Sequence, residues 1–341
     1  MDVSFDPPDP RPRHPEFHDL REQVMSLFYQ GRYEDALDAA RDLRSRYPER
    51  GEIPFWMACA LGSLARPDDA LQVLEQALDD GLWWPAEWLR DDDDLALLRG
   101  RPELEAMTER AQRARATWVS RYEPGLIVGE PASRFSVPRG TLVALHGWGG
   151  NAPDFLDPWR PVVDEGLLLA VPESSQVLTP YFHVWDDPSL ATKDLANAYK
   201  RLRSTYGIDA LRLVAAGFSQ GGGLAVSSVL TGGPLPADAF LTIGTGLSDI
   251  NPAALDTVAP TRTHQIQGWI LIGERDEALP DATRLHAELR SRDIDCHFEV
   301  IPHVAHSVAP DLAPRLRRAL ASLLPHERPR SHDRASDSPS T

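Results

Sequence analysis

The sequence has few cysteines, no long apolar run and a shortage of positive charge. Its two cysteines, Cys59 and Cys296, are far apart, so neither a disulfide framework nor a thiolate zinc site is expected, and no metal or other cofactor is predicted. Lys and Arg number 35 against 51 Asp and Glu, and this net charge of -16 disfavours nucleic-acid partners. No stretch reaches the roughly 18 apolar residues of a membrane span, so stable membrane insertion is not expected.

Both ends of the sequence have compositions typical of unfolded segments. Five of the first fifteen residues are proline, and residues 326–341 are almost entirely polar. We therefore expect a disordered lead-in over 1–17 and a disordered tail over 326–341. The first residues lack the basic and apolar regions of a secretory signal, so a cytoplasmic location is expected.

Residues 18–118 contain an internal repeat with helical periodicity. "GRYEDAL" (31–37) is echoed by "ARPDDAL" (65–71), and Ala36 and Ala70 are 34 residues apart. This spacing is the tetratricopeptide period, so the segment resembles a short all-α tetratricopeptide-like domain. The resemblance implies a surface for a protein partner or for self-association, and a packing module is the alternative.

Two features of this segment suggest ligand sites but have simpler interpretations. Trp83, Trp84 and Trp88 are expected in a hydrophobic core rather than as a stacking set for a ligand. The run 91–94 consists of four aspartates but lacks the alternating ligands, the turn glycine and the distal glutamate of a calcium loop. We expect it to form a solvated turn and a helix N-cap.

Residues 120–325 alternate short apolar runs with helical stretches. The runs "TLVALH", "LLLAVP", "LRLVAAGF", "AFLTIG", "WILIG" and "CHFEVIP" are typical of buried parallel strands. Helical periodicity occurs between several of them, for example over 191–206 and 282–292. The pattern predicts a doubly wound, mostly parallel α/β sheet, with "GLIVGE" and "SRFSVP" as antiparallel edge strands.

One of these predicted strands leads into a candidate nucleophile. Gly217-Phe218-Ser219-Gln220-Gly221 is a G-x-S-x-G sequence between a strand and a helix, which is the setting of a nucleophile elbow. In such an elbow the serine takes a strained conformation that presents its hydroxyl at the sheet edge. A flexible glycine turn without catalytic function is the alternative.

A serine nucleophile needs a histidine base and an acid, which follow it in this order in such a fold. His303 and His306 both follow the last predicted strand. We prefer His306 because it is deeper in the loop and directly before the final helix, and His303 remains the alternative. A metal pair of these two histidines lacks a third ligand. Asp276 is favoured as the acid among the carboxylates of the loop after "WILIG", namely Glu274, Asp276, Glu277 and Asp281.

The loop "LHGWGGN" supplies the remaining requirement, a pair of backbone donors for an oxyanion. It follows an early strand directly, and its glycines allow N–H groups to turn inward. We predict that the N–H groups of Trp148 and Gln220 form the oxyanion hole. A glycine turn with a packed tryptophan is the alternative.

Together these motifs resemble the phospholipase/carboxylesterase family of α/β-hydrolases, which includes acyl-protein thioesterases. The likeness covers about residues 120–325 and rests on "GFSQGG", "LHGWGGN", "GERDEALP" and "HVWDD". The family usually has glycine before its catalytic histidine, whereas Ala305 precedes His306 here, so the choice between the two histidines stays open.

The resemblance implies a Ser-His-Asp hydrolase of carboxylic esters or thioesters with small or medium acyl groups. It implies an open pocket walled by residues 178–190 and 245–267, with Gly147, His183 and Trp185 at the substrate. Two alternatives remain: an adaptor that binds a partner through its helical repeats, and a peptidase or amidase with the same triad.

Overall fold

The computed structural model describes residues 5–6, 11, 13–131, 135, 137–208 and 212–324. The described strands are β1 (Phe5–Asp6), β2 (Leu126–Gly129), β3 (Gly140–Leu145), β4 (Leu167–Pro172), β5 (Gln176–Thr179), β6 (Phe182–Val184), β7 (Leu213–Phe218), β8 (Ala239–Ile243), β9 (Gln267–Gly273) and β10 (Asp295–Ile301). The described α-helices are α1 (Phe17–Tyr29), α2 (Tyr33–Arg46), α3 (Glu52–Ser63), α4 (Pro67–Asp79), α5 (Ala86–Asp91), α6 (Pro102–Val119), α7 (Ala152–Phe155), α8 (Pro161–Asp164), α9 (Pro188–Tyr206), α10 (Gln220–Thr231), α11 (Pro252–Thr257), α12 (Pro260–Thr263), α13 (Leu279–Ser291) and α14 (Leu312–Leu323). Short 3₁₀ helices occur at Asp93–Leu98, Asp157–Trp159 and Leu247–Asp249.

Helices α1–α6 form a helical region whose apolar faces share one hydrophobic core. Two of them show the repeat directly, because α2 begins at Tyr33 and α4 at Pro67, 34 residues later. Each follows a residue with left-handed backbone, Gly31 (φ 68°) or Ala65 (φ 55°). The offset seen in the sequence therefore recurs in the structure, while membership in the tetratricopeptide class stays a prediction.

The tryptophans and aspartates of this region have distinct environments. Trp83 and Trp84 are buried in the helical core, and the indole N–H of Trp84 donates to the carbonyl of Gly51 (2.7 Å). Trp88 is only half-buried and packs at the edge of that core. Asp92 caps the following 3₁₀ helix by accepting a hydrogen bond from the backbone N–H of Asp94 (3.0 Å).

An eight-stranded sheet forms the α/β region, in the order β1-β2-β4-β3-β7-β8-β9-β10. Strands β4 to β10 of this order pair in parallel, and β2 pairs antiparallel with both β1 and β4. The six predicted parallel strands and the antiparallel strand in "GLIVGE" are confirmed, but β10, at the edge of the sheet, is not buried as predicted, because Asp295, His297 and Val300 are exposed. Three of the six residues of "SRFSVP" lie outside the described residues, and the other three, at 135, 137 and 138, are not in a strand.

Helices cover both faces of the sheet at β3, β4, β7, β8 and β9, which explains why these strands are apolar without alternation. Successive side chains of β3 enter opposite cores: Leu142 and Ala144 pack with α8 and α14, and Val143 and Leu145 pack with α9, α10 and α13. The carboxyl ends of β3, β7, β9 and β10 lie on one edge, because these strands run in the same direction. The predicted site residues follow these strand ends.

The helical region is attached to this same edge. The β5–β6 hairpin inserts Val177 into the helical core, and the hydroxyl of Thr179 donates to the carbonyl of Trp83 (2.6 Å). Arg50, which is fully buried, forms an ion pair with Asp154 of α7. The hairpin was not predicted from the sequence, because its strands are short and only partly apolar.

The predicted lead-in is partly structured. Residues 5–6 form a strand that pairs with β2, and the backbone N–H of His14 donates to Asp154 (2.7 Å). The expectation of disorder over the whole of 1–17 is thus corrected for these residues, because β2 offers a free sheet edge. The predicted tail over 326–341 lies outside the described residues.

Candidate active site

Ser219 lies on a sharp turn between β7 and α10. Its backbone is left-handed (φ 51°, ψ -125°), a strained conformation for a residue with a side chain. Its N–H donates to the carbonyl of Ile243 (2.8 Å), which holds the turn against β8. At Gly221 a Cβ atom would overlap the carbonyl oxygens of Leu145 and His146, so glycine is required where α10 meets the end of β3.

His306 and Asp276 lie beside Ser219 in a continuous hydrogen-bonded series. His306 Nε2 is 3.1 Å from Ser219 Oγ, and His306 Nδ1 is 3.0 Å from Asp276 Oδ2 and 3.1 Å from Oδ1. The carboxylate of Asp276 is almost fully buried and also accepts from the N–H of Ala278 (2.9 Å). The imidazole is therefore oriented on both sides, as a general base for a serine requires.

The surroundings of His306 favour its protonated form. Burial of the ring opposes protonation, but the hydrogen bond to Asp276 and its charge, with further contributions from Glu22 and Asp249, raise the pKa of His306 above its usual value. An imidazolium formed by taking the serine proton would be stabilised by the same carboxylates.

The alternative histidine and two of the alternative acids considered from the sequence make hydrogen bonds away from Ser219. His303 is exposed, and its N–H donates to Glu274 (2.8 Å), whose carboxylate also lies 3.4 Å from the His303 ring. Asp281 accepts hydrogen bonds from the N–H and hydroxyl of Ser248 (2.7 and 2.6 Å). Among the described residues, His306 is the histidine within hydrogen-bond reach of the Ser219 hydroxyl, and Asp276 is the carboxylate bonded to His306.

The loop after β3 carries the predicted oxyanion donor Trp148. Gly149 turns with a φ of 72°, and its N–H donates to the carbonyl of His183 (2.9 Å). Gly147 packs closely on Phe218, which precedes the nucleophile. Within the described part of the chain, no carbonyl accepts from the backbone N–H of Trp148 or Gln220. Their role as oxyanion donors stays a prediction.

His183 and Trp185 support this loop from inside the protein. His183 is fully buried, and its Nδ1 lies 2.9 Å from the carbonyl of Ser174. The indole of Trp185 donates to the carbonyl of His146 (2.9 Å), and the N–H of Trp185 donates to the side chain of Gln220 (2.9 Å). Neither residue is among those that line the cleft at Ser219, so their role in binding substrate stays a prediction.

The cleft that opens on Ser219 lies between the two regions of the chain. It has a volume of about 430 Å³, and Ser219, His306 and Phe218 line it from the α/β side. The helical region supplies the facing wall, from α1, α3 and α5: Arg21, Glu22, Met25, Phe55, Trp56 and Trp88. Sequence reasoning placed this region in a separate tetratricopeptide-like domain and missed its place at the site, because an amphipathic pattern does not show which partner a helix faces.

One group of side chains outside the site has the spacing of metal ligands. Cys59, Asp92 and Asp94 place one possible ligand atom each within 4.8 Å of one another. Burial, together with the two aspartates, raises the pKa of Cys59 well above its usual value. Both aspartates already accept hydrogen bonds within the helical region, Asp92 from the N–H of Asp94 (3.0 Å) and Asp94 from the hydroxyl of Ser63 (2.6 Å).

The described helices include none that is long and apolar enough to cross a membrane. No protein-family model and no curated protein matches the chain. Solved structures similar in outline include an uncharacterized protein from Bacillus cereus ATCC 10987, with 19% identity over 90% of this chain and 99% of that one (TM-score 0.48). Esterase PE8 has 17% identity over 59% of this chain and 100% of its own (TM-score 0.48). Acyl-protein thioesterase 2 of Zea mays has 17% identity over 59% of this chain and 99% of its own (TM-score 0.43).

Proposed function

We propose that the chain is a serine hydrolase that cleaves carboxylic esters or thioesters through an acyl-enzyme. The hydrogen-bonded series from Ser219 through His306 to Asp276 carries this proposal. Its support includes the strained backbone of Ser219 and the N–H groups of Trp148 and Gln220, which donate to no carbonyl in the described part of the chain. The parallel sheet is the scaffold that the α/β-hydrolase resemblance predicts.

In the first half of the reaction, Ser219 Oγ attacks the carbonyl carbon and its proton passes to His306 Nε2. The N–H groups of Trp148 and Gln220 stabilise the resulting oxyanion, and Asp276 stabilises the imidazolium. The carbon–oxygen or carbon–sulfur bond to the leaving group then breaks. The departing alcohol or thiol takes the proton from His306, and the acyl group remains as an ester of Ser219.

In the second half, His306 takes a proton from water, whose oxygen attacks the acyl-enzyme. The second tetrahedral intermediate collapses as His306 returns the proton to Ser219 Oγ. The carboxylic acid leaves and the enzyme is restored. An amide or peptide bond would follow the same steps with an amine as leaving group, so a peptidase or amidase is a second candidate.

The third candidate is an adaptor that uses its tetratricopeptide-like repeats to bind a protein. The helical region also lines the cleft at Ser219, which supports a role for it in the hydrolase itself. Reaction with a fluorophosphonate probe distinguishes the two. Labelling at Ser219 supports the enzyme, whereas a folded protein that stays unlabelled supports the adaptor.

Hydrolysis of ethyl butanoate, followed by titration of the released acid, tests the proposal. Ser219→Ala is expected to abolish turnover, and Asp276→Asn to lower kcat by about 10⁴-fold because the imidazole loses its orienting partner. Ser307→Ala, in the same loop as His306 but outside the triad, is the matched control. Parent-level turnover by Ser219→Ala would contradict the proposal.

A further inference from the structure

Four aromatic side chains form a continuous wall along the cleft at Ser219. The ring of Phe55 lies 4.9 Å from that of Trp88, Trp88 lies 5.4 Å from Phe182, and Phe182 lies 4.6 Å from Trp148. All four residues line the cleft. We call them the aromatic wall. It joins α3 and α5 of the helical region to the β5–β6 hairpin and to the loop after β3 that contains Trp148.

The aromatic wall leaves apolar surface open to the cleft. Trp148 is 45% exposed although it is among the largest apolar side chains. The volume of about 430 Å³ is within the range of small-molecule sites. An exposed indole beside a reactive serine offers a flat face on which a planar ring of a substrate can stack.

The charges at the cleft oppose an anionic substrate. Glu22, Asp92 and Glu277 line it together with one cation, Arg21. The guanidinium of Arg21 is already engaged by the carboxylate of Glu22 (3.1 Å) and by the carbonyl of Trp148 (3.0 Å). The remaining carboxylates would repel a carboxylate or phosphate group on the substrate.

We propose that the aromatic wall recognises an aromatic ring on an uncharged ester, so that the helical region is the substrate-recognition half of the active site. This proposal rests on the proposed hydrolase function. It names the substrate class, an ester or thioester whose acyl or alcohol part ends in an aromatic ring.

Two matched pairs of substrates test it, one for each side of the ester bond. Ethyl 3-phenylpropanoate is compared with ethyl 3-cyclohexylpropanoate, and benzyl acetate with cyclohexylmethyl acetate. We expect kcat/KM for the aromatic member of at least one pair to be about 2- to 10-fold higher. Trp88→Leu should bring that ratio towards one, and Trp88→Phe should retain most of it.

Trp118→Leu is the matched control, because Trp118 is a half-buried tryptophan of the helical region that lines a different cleft. It should keep the parent ratio. Ratios near one for both pairs in an active parent enzyme would overturn the recognition proposal alone. Absence of turnover and of fluorophosphonate labelling in the parent would instead overturn the proposed function.

A separate set of hydrogen bonds joins α1 to two loops of the site, the one that contains His306 and the one that contains Trp148. His18 Nε2 lies 3.0 Å from the carbonyl of His306, and this pairing requires that Nε2 carries the proton. Burial, with the charge of Arg21, lowers the pKa of His18 to about 4, so its Nδ1 is a bare acceptor at neutral pH. Arg21 donates to that Nδ1 (3.0 Å) and also to the carbonyl of Trp148 (3.0 Å).

We infer that His18 and Arg21 are positioning residues. They fix the position of the loop that contains His306 relative to the loop that contains Trp148. The hydrogen bond from His18 fixes the backbone of His306, the proposed general base. The hydrogen bond from Arg21 fixes the backbone of Trp148, a proposed oxyanion donor. The bond between the two side chains links these loops through α1. This inference also rests on the proposed hydrolase function.

His18→Ala tests the inference, with His18→Gln as the conservative variant that keeps a side-chain donor. We expect His18→Ala to lower kcat and the rate of fluorophosphonate labelling at least about fivefold with little change in KM. His18→Gln should recover part of the loss. Thermal unfolding of each variant checks that the fold is intact.

The matched control is His14→Ala. His14 precedes α1 and packs on Tyr47 (4.7 Å between ring centroids), with its ring 3.3 Å from Glu49. It should keep the parent kcat even where it unfolds at a lower temperature. A His18→Ala enzyme with parent kcat and labelling rate would overturn the inference while leaving the hydrolase proposal intact.

Discussion

The carboxylate of Glu22 stabilises the protonated ring of His306, although the two residues belong to different regions of the chain. Burial of His306 acts in the opposite direction, and Asp276 makes the largest contribution that raises its pKa, followed by Glu22 and Asp249. The nearby ring of His18 is neutral because burial lowers its pKa to about 4. The helical region therefore influences the proposed general base through charge as well as contact.

Replacement of Glu22 should shift the pH dependence of the reaction. The base must be neutral to accept the serine proton, so kcat/KM rises as pH passes the pKa of His306. Because that pKa is raised, the acid limb of the parent enzyme should lie above the usual value for histidine. Glu22→Gln should move the limb to lower pH, as pH profiles of kcat/KM will show. Glu34→Gln, the same change at an exposed position of α2, should leave the profile unshifted.

Gly221→Ala should damage the site more than a surface substitution would. The new Cβ would overlap the carbonyls of Leu145 and His146 and force the first turn of α10 away from β3. We expect kcat/KM to fall by about 10²-fold or more, because the N–H of Gln220 on α10 would move away from the N–H of Trp148 in the loop after β3. Gly125→Ala is the control, since its Cβ would make only ordinary contacts. Equal activity of the two variants would contradict this account of the close packing.

Arg50→Met should destabilise the junction of the two regions. Arg50 is fully buried, is paired with Asp154, lies 3.5 Å from Glu52 and stacks over the ring of Phe17 (3.7 Å). Its removal leaves two carboxylates without a counterion, which should cost about 3–5 kcal/mol of unfolding free energy. Urea unfolding followed by tryptophan fluorescence measures this loss. Arg32→Met, at an exposed ion pair, should cost less than about 1 kcal/mol.

Glu277→Gln should relax the discrimination against anionic esters. Glu277 is exposed and lines the cleft next to Asp276. We expect the ratio of kcat/KM for monoethyl succinate to that for ethyl butanoate to rise a few-fold at low salt, and the gain to shrink in about 0.5 M NaCl. Glu75→Gln, on the exposed side of α4, removes the same charge and should leave the ratio unchanged. A ratio insensitive to Glu277 would show that this carboxylate does not face the substrate.

Local patterns in the sequence were sufficient for much of the scaffold. The apolar runs of β3, β4 and β7–β9 predicted a parallel sheet because strands buried on both faces need no polar alternation. The hairpin β5–β6 was missed because its strands are short and only partly apolar. The substrate residues expected from the resemblance, His183 and Trp185, lie inside the protein, because each makes a hydrogen bond to the backbone of a neighbouring loop.

The sequence by itself determined the strand-to-helix setting of Ser219 and the loops that contain Asp276 and His306. It did so because the strain of the elbow requires glycines close by in the chain, and because parallel strands bring their ends to one edge. Only the tertiary structure decided that α1 faces this edge and that His18, Arg21 and Glu22 reach the catalytic loops. Their helix has an ordinary amphipathic pattern, and the partner of each face depends on the packing of two regions that no local pattern encodes.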